Sequence, residues 1–267
     1  MSAPATPMTA PVGPGGPRIV HDALTIAWRN ILNIRRTPEL LVFSTIQPVI
    51  FVLMFRYVFG GAIQVPGASY VDFLMPGIFV QTVVFGSLTT GVGLADDLQK
   101  GLIDRFRSLP MARSAVLVGR TLADLLRNVF VIALMCGVGL LVGWDPQGGT
   151  VSVLAGIGLV LAFSYSLAWV FAIVGMFAPD AETAQAASFP VMAPLVFASS
   201  AFVPTATMPS WLRHFAEHQP VSEVVDAVRV LTIGGPASSQ VLTALAWIVG
   251  IVVVAAPLAV ARYRRVV

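Results

Sequence analysis

The chain has 267 residues, of which 57% are hydrophobic and 11% charged, and its formal net charge is +3. Charged residues make up about 25% of an ordinary soluble domain, so this composition excludes one and points to a single polytopic membrane domain with room for about six spans of roughly 20 apolar residues. It also sets nucleic acid aside, because no basic stretch has the density and length such a surface needs, and the one cysteine, Cys136, allows no intrachain disulfide.

Residues 1–17, MSAPATPMTAPVGPGGP, carry no charge and cannot bury a face, so a disordered tail is expected. They lack the positive start and apolar block of a signal peptide, which predicts that the terminus stays in the cytosol. Over residues 18–37 the pattern becomes two-faced. Val20, Leu24, Ala27, Ile31 and Ile34 fall on one side, Asp22, Arg29 and Arg36 on the other, and Trp28 at the border. Such a helix lies in the membrane interface; a short soluble packing helix is the alternative. Thr37-Pro38-Glu39 then opens the next helix, since proline suits a first turn.

Six apolar spans follow within residues 38–267, at about Leu40–Phe59, Phe73–Ala95, Val116–Val142, Val151–Phe177, Ala184–Val203 and Val241–Ala261. Counting Lys and Arg on alternate sides gives twelve against three, with the excess before span 1, between spans 2 and 3 and at the end. Short basic loops stay cytoplasmic, so both termini are expected inside. Within the spans, Gln47-Pro48, Gln81, Pro190 and Pro194 supply polar groups and kinks suited to a path or gate, or to passive packing. Arg120, Asp124 and Arg127 in span 3 follow i, i+4, i+7 spacing, so one carboxylate sits between two guanidinium groups at the inner interface. Gly139 and Gly143 form a GxxxG that permits close helix approach.

The long connections are the informative ones. Inside, Gly101 can break one helix and Pro110 end the next, leaving LIDRFRSL as about two turns. Leu102, Phe106 and Leu109 share a face, which fits either a groove on a cytosolic protein or anionic headgroups. Outside, His214, Glu217 and His218 match an H-x-x-E-H pattern. A catalytic zinc needs a third ligand, and only Glu223 or Asp226 lies near in sequence, so an external metalloprotease is a remote alternative and no metal site is expected.

Phe73 to Arg127, FLMPGIFVQTVVFGSLTTGVGLADDLQKGLIDRFRSLPMARSAVLVGRTLADLLR, resembles the signature region of the ABC-2 type exporter permeases, most of all their daunorubicin/doxorubicin-resistance branch. Met208 to Leu231, MPSWLRHFAEHQPVSEVVDAVRVL, resembles the same family's connection between spans 5 and 6. The resemblance implies an all-α polytopic membrane protein of the cell membrane. It would have six transmembrane helices, the 18–36 segment as interfacial connecting helix, and short re-entrant helices carrying Met208, Trp211, Phe215, Glu217, Pro220, Asp226 and Arg229. It implies that Gly101, Leu102, Ile103, Asp104, Arg105, Phe106, Arg107, Ser108 and Leu109 form the helix that couples to a separate ATP-binding subunit. Gln219-Pro220 departs from the family's common Asn-Pro, which should alter a cap or turn locally. A phosphate-cradling loop ends in Gly-Lys-Ser/Thr, whereas the sole lysine, Lys100, follows Gln99. The chain is therefore expected to be a transport subunit and not an enzyme, with ATP and Mg on its partner, two ATP-binding subunits and a second permease subunit in the complex, and a lipid, polyketide or drug as cargo. A membrane anchor or sensor that recruits a cytosolic protein is the alternative.

Overall fold

The computed structural model describes residues 38–61, 63, 65, 69–101, 113–235 and 238–266. The expected tail, the 18–37 helix and the coupling-helix residues Leu102 to Leu109 lie outside them. Every described element is helical: α1 (Pro38–Met54), a π turn (Phe55–Phe59), α2 (Tyr70–Gln99), α3 (Arg113–Val142), α4 (Gly149–Phe177), α5 (Ala181–Phe197), a 3-10 turn (Thr205–Thr207), α6 (Ser210–Glu217), α7 (Pro220–Ile233) and α8 (Ser238–Val266). By length and apolarity four of these suffice to cross a membrane, namely α2, α3 from Leu117, α4 and α8 up to Arg265. The helices α1 and α5 have 17 residues each, below the roughly 20 that a hydrocarbon core of about 30 Å takes.

The helix ends differ from the expected span ends because capping chemistry, not hydropathy, sets them. Ser69 caps α2, its hydroxyl accepting from the Asp72 N–H at 3.2 Å, so the helix starts three residues before Phe73. It runs on past Ala95 until Gly101, whose φ of 63° suits the left-handed close of a helix. Asp180 caps α5 by accepting from the Thr183 N–H at 2.7 Å; that bond holds its carboxyl below the usual carboxylate range. At its far end α5 stops at Phe197 rather than Val203. There Ser199 donates to the Val196 carbonyl at 2.6 Å, and its hydroxyl accepts from the Ala201 N–H at 3.1 Å.

Helix α2 is the centre of the bundle and packs on α4, α5, α7 and α3, while α8 closes against α4 and α7. Leu74, Met75, Ile78, Phe79, Val80 and Val83 are fully buried. In a lipid solvent burial of apolar surface no longer drives helices together, so close van der Waals contact and interhelical hydrogen bonds carry the packing. Gly91 and Gly175 show how: a Cβ on either would collide with the other helix's backbone, at the Phe171 and Gly91 carbonyls respectively. Gly143 has a different use. With φ of 97° it terminates α3, and Gly139 makes room for Met75 and Trp144, so the GxxxG spacing serves this bundle's own packing.

Cross-helix contacts fix the topology. The Arg120–Asp97 pair and the Arg262 guanidinium 4.3 Å from the Phe177 ring centroid bring the end of α2, the start of α3 and the ends of α4 and α8 to one end of the bundle. At the other end, the Asp145 N–H donates to Asp72 Oδ1 at 2.9 Å and the Gly148 N–H to the Thr232 carbonyl at 2.9 Å, while Phe55 stacks on Phe202 at 4.7 Å.

Candidate functional site

Between α1, α2, α3 and α5 lies a cleft of about 360 Å³. Gln47 and Pro48 line it from α1, Gln81, Thr82 and Phe85 from α2, Arg127 and Asn128 from α3, and Gln185, Phe189 and Met192 from α5. Its mouth is marked by the exposed Gln47, Gln185 and Phe189, and its floor by the buried Gln81, Asn128 and Met192. The sequence-flagged residues Gln47, Pro48 and Gln81 thus come together. Pro190 and Pro194 do not: both sit on the exposed face of α5, outside the lining. Sequence reading missed Asn128 and Gln185, although an amide inside an apolar helix is the same signal that marks Gln47 and Gln81.

Most polar groups of the floor are satisfied within the protein. Asn128 Nδ2 donates to Ser164 Oγ at 2.6 Å, and the Ser87 hydroxyl reaches the Val83 carbonyl at 2.7 Å and the Ser164 carbonyl at 3.1 Å. Gly86 permits this, since a Cβ there would come within 2.6 Å of Asn128 Oδ1. Gln81 is the exception. Its side chain is 2% exposed, and its Oε1 is buried without a hydrogen-bond donor among the described residues.

Next to the cleft, the span-3 charges resolve into two clamps between α2 and α3 instead of one carboxylate between two guanidiniums. Asp124 pairs with Arg127 at 3.2 Å and accepts from the Thr90 hydroxyl at 2.5 Å. Arg127 also donates to the Gly86 carbonyl at 2.7 Å. Arg120 turns away to Asp97 on α2, and the adjacent turn holds Lys100 on Asp96 at 2.7 Å. The i, i+4 neighbour on the same helix loses to a partner on the facing helix, which lies nearer the guanidinium's end.

At the opposite end of the bundle Arg229 is the hub. Its Nη1 meets Asp226 Oδ1 at 2.6 Å, Nη2 donates to the Ser200 carbonyl at 2.9 Å, and Nε and Nη2 both reach the Phe73 carbonyl at 3.2 Å. Its Cζ lies 3.7 Å from the Phe73 ring centroid, a cation–π contact. The Ser200 hydroxyl donates to Asp226 Oδ1 at 2.8 Å. Burial pulls the Arg229 guanidinium down to about 10, opposed by Asp226, so it stays charged near neutral pH. One side chain of α7 thereby ties α2 to the segment after α5; Asp226 and Arg229 were flagged from the sequence, Phe73 and Ser200 were not. Gln219 adds a second tie, donating to the Leu195 carbonyl at 2.7 Å and the Ala198 carbonyl at 3.3 Å. The same amide lies 3.3 Å from the Ser222 hydroxyl, and the Gln219 carbonyl accepts from the Glu223 N–H at 3.2 Å, so Gln219 joins the end of α5 to the start of α7, where Pro220 occupies the first turn.

The remaining residues flagged in the 208–231 block lie on α6 or just before it. Trp211 and Phe215 are exposed, Met208 is half-buried, and the Glu217 carboxylate accepts from Arg213 Nε at 2.7 Å and the Thr205 hydroxyl at 3.3 Å. The Arg213 hydrogen bond holds the Glu217 carboxyl below the usual range. The His214 and His218 rings lie 4.6 Å apart, tilted by 40°, and His218 Nδ1 lies 2.9 Å from the His214 carbonyl. The residues of the H-x-x-E-H stretch are thus engaged in the helix's own contacts, and no metal-holding group of three His, Cys, Asp or Glu occurs among the described residues.

Comparison with known proteins agrees with the resemblance in the sequence. The ABC-2 type transporter family model matches residues 21–233. The daunorubicin resistance ABC transporter permease protein of Streptomyces coeruleorubidus is 36% identical over 97% of this chain and 92% of its own length. A doxorubicin resistance ABC transporter permease protein of Mycobacterium tuberculosis is 28% identical over 69% of this chain and 66% of its own. A helical bundle in which four of the described helices are long and apolar enough to cross a membrane, and a match that spans most of it, make the conclusion plain: this chain belongs to the ABC-2 type transporter family, as a multi-pass membrane subunit.

Proposed function

We propose that this chain is the permease subunit of an ATP-driven exporter, and that the cleft between α1, α2, α3 and α5 receives the cargo. The observation that carries the reading is a polar-floored cleft enclosed by helices of a membrane bundle, since polar groups at such a place mark a path for something other than lipid tails. Six spans complete the topology: α1 continues through its π turn without a break from Pro38 to Phe59, and α5 adds the other. Both termini and the residue 101–109 segment then face the cytosol by the charge count, and α6 and α7 cap the outer face. Residues Gly101 to Leu109 dock on the ATP-binding subunit, whose ATP and Mg supply the power stroke. A second permease subunit, identical or homologous, completes the path. The cargo is a hydrophobic or amphiphilic molecule moved outward across the cell membrane, in keeping with the resistance permeases that the chain is similar to.

Inside-out vesicles containing the chain and its ATP-binding partner test this. Daunorubicin, a diacyl lipid probe and a hydroxylated aromatic probe are offered with and without ATP. ATP-dependent uptake of at least one, lost when Gln185→Trp blocks the mouth of the cleft, is expected. Recruitment of the ATPase without ATP-dependent movement of any probe would replace the exporter with a membrane anchor.

A further inference from the structure

We infer that the cleft selects a compact, uncharged amphiphile whose hydroxyl group hydrogen-bonds to the Gln81 side chain. This deepens the exporter reading, on which it rests for the ligand being cargo; the binding itself needs no ATP-binding subunit. Size decides between ligand shapes. Sites of about 300–1,000 Å³ suit drug-sized molecules, and a cleft of about 360 Å³ is at the small end, so a single ring system with a short arm fits it and a two-chain lipid does not.

Charge decides between head groups. Among the described residues, no Asp or Glu lines the cleft, and Arg127 is the one cation that does. Its charge is matched by Asp124 at 3.2 Å, and it also donates to the Gly86 carbonyl. A cationic ligand would meet no free carboxylate, and an anionic one would meet a guanidinium already neutralised. Either would bring an uncompensated charge into a poorly solvated site, at a large desolvation cost. An uncharged ligand avoids that.

Gln81 supplies the polar contact. A buried acceptor without a donor carries a free-energy penalty that a donor brought into the cleft removes. Thr82 and Thr89 turn their hydroxyl protons to the Ile78 and Gly86 carbonyls, which leaves their oxygens as further acceptors and makes the α2 wall a poor partner for a ligand that only accepts. The Gln81 amide can present either end by rotation about its last torsion, and a hydroxyl, which both donates and accepts, satisfies both orientations.

The test uses the full chain in lipid nanodiscs, without ATPase, and five fluorescent probes: 1-pyrenebutanol, its methyl ether, 1-pyrenebutylamine, 1-pyrenebutyrate and a pyrene-labelled diacylglycerol. Saturable binding of the alcohol about tenfold tighter than that of the ether, the worth of one hydrogen bond, is expected, with the amine, the carboxylate and the diacylglycerol weaker still. Gln81→Met, close in shape but without the amide, should erase the alcohol's advantage while elution volume and melting temperature are kept. If that variant fails to fold, Gln185→Trp at the exposed mouth must abolish binding of the alcohol. Equal binding of alcohol and ether by the wild type, a preference for the amine or carboxylate, tight binding of the diacylglycerol, or no saturable binding of any probe overturns the inference. Each of these leaves the exporter reading standing, because ATP-driven transport is measured separately.

Discussion

Arg229 makes contacts that no other residue type could reproduce. Its planar fork pairs with Asp226, reaches two backbone carbonyls and covers the Phe73 ring at once. Replacement by Met keeps the stem but strands Asp226 and the Ser200 and Phe73 carbonyls. Arg229→Met is expected to cost about 2–3 kcal/mol, seen as a lower melting temperature in detergent. Arg229→Lys should recover only part of it, because an ammonium cannot bond in a fork. Glu217 gives a prediction in pH. Its folded-state pKa is depressed by Arg213, so its contribution to holding α6 is present above the unfolded carboxylate value of about 4.3 and is lost as pH falls through the lower folded value. Protection factors of the α6 amides, corrected for the intrinsic exchange rate at each pH, should therefore fall at acid pH in the wild type, and Glu217→Gln should remove that pH dependence. At this scale the sequence was partly legible: Gln81 stood out as a polar group in an apolar span, and Asp226 and Arg229 came from the family resemblance of residues 208–231. Their partners did not, since a carbonyl such as that of Phe73, 156 residues away from Arg229, leaves no trace in residue type.

Helices were legible by their apolar runs and their ends were not. The stop of α5 depends on the hydroxyl of Ser199 and on the Gln219 amide arriving from another element, and neither is visible in a hydropathy pattern. The close crossing of α2 and α4 was equally hidden, because the chain has 23 glycines and only the fold shows which of them meet. That crossing yields a prediction of opposite signs. Gly91→Ala puts a methyl into the Phe171 carbonyl and should destabilise by about 1–3 kcal/mol, as overpacking does. Gly250→Ala on α8, with open space around it, should be neutral or stabilising by up to about 1 kcal/mol through helix propensity. Melting temperatures of the two variants side by side check it. The charge clamps belong to the same scale: Thr90–Asp124–Arg127 and Asp97–Arg120 join α2 to α3 near Gly101. Motion delivered to the end of α2 at Gly101 would therefore move both helices together.

For the molecule as a whole, composition and span count pointed to a polytopic helical bundle, and the described helices form one. The two ends of the bundle hold different segments: one has the end of α2, the start of α3, the ends of α4 and α8 and the Arg120–Asp97 clamp, and the other holds α6, α7 and the Arg229 hub. A cleft formed by four helices from across the chain was beyond sequence reading, because it depends on packing distances and not on spacing along one helix. In the proposed exporter, force arrives from a separate ATPase at residues 101–109. Cysteine crosslinking tests it most directly. In a Cys136→Ser background, where no native thiol remains, Arg105→Cys is crosslinked in native membranes with a short bifunctional reagent and the tagged chain is purified, with Trp211→Cys on α6, at the end of the bundle with the Arg229 hub, as control. One prominent adduct with an ATP-binding polypeptide that contains a glycine-rich Gly-Lys-Ser/Thr loop is expected, and none from Trp211→Cys; an Arg105→Cys chain that captures no ATPase would overturn docking at residues 101–109.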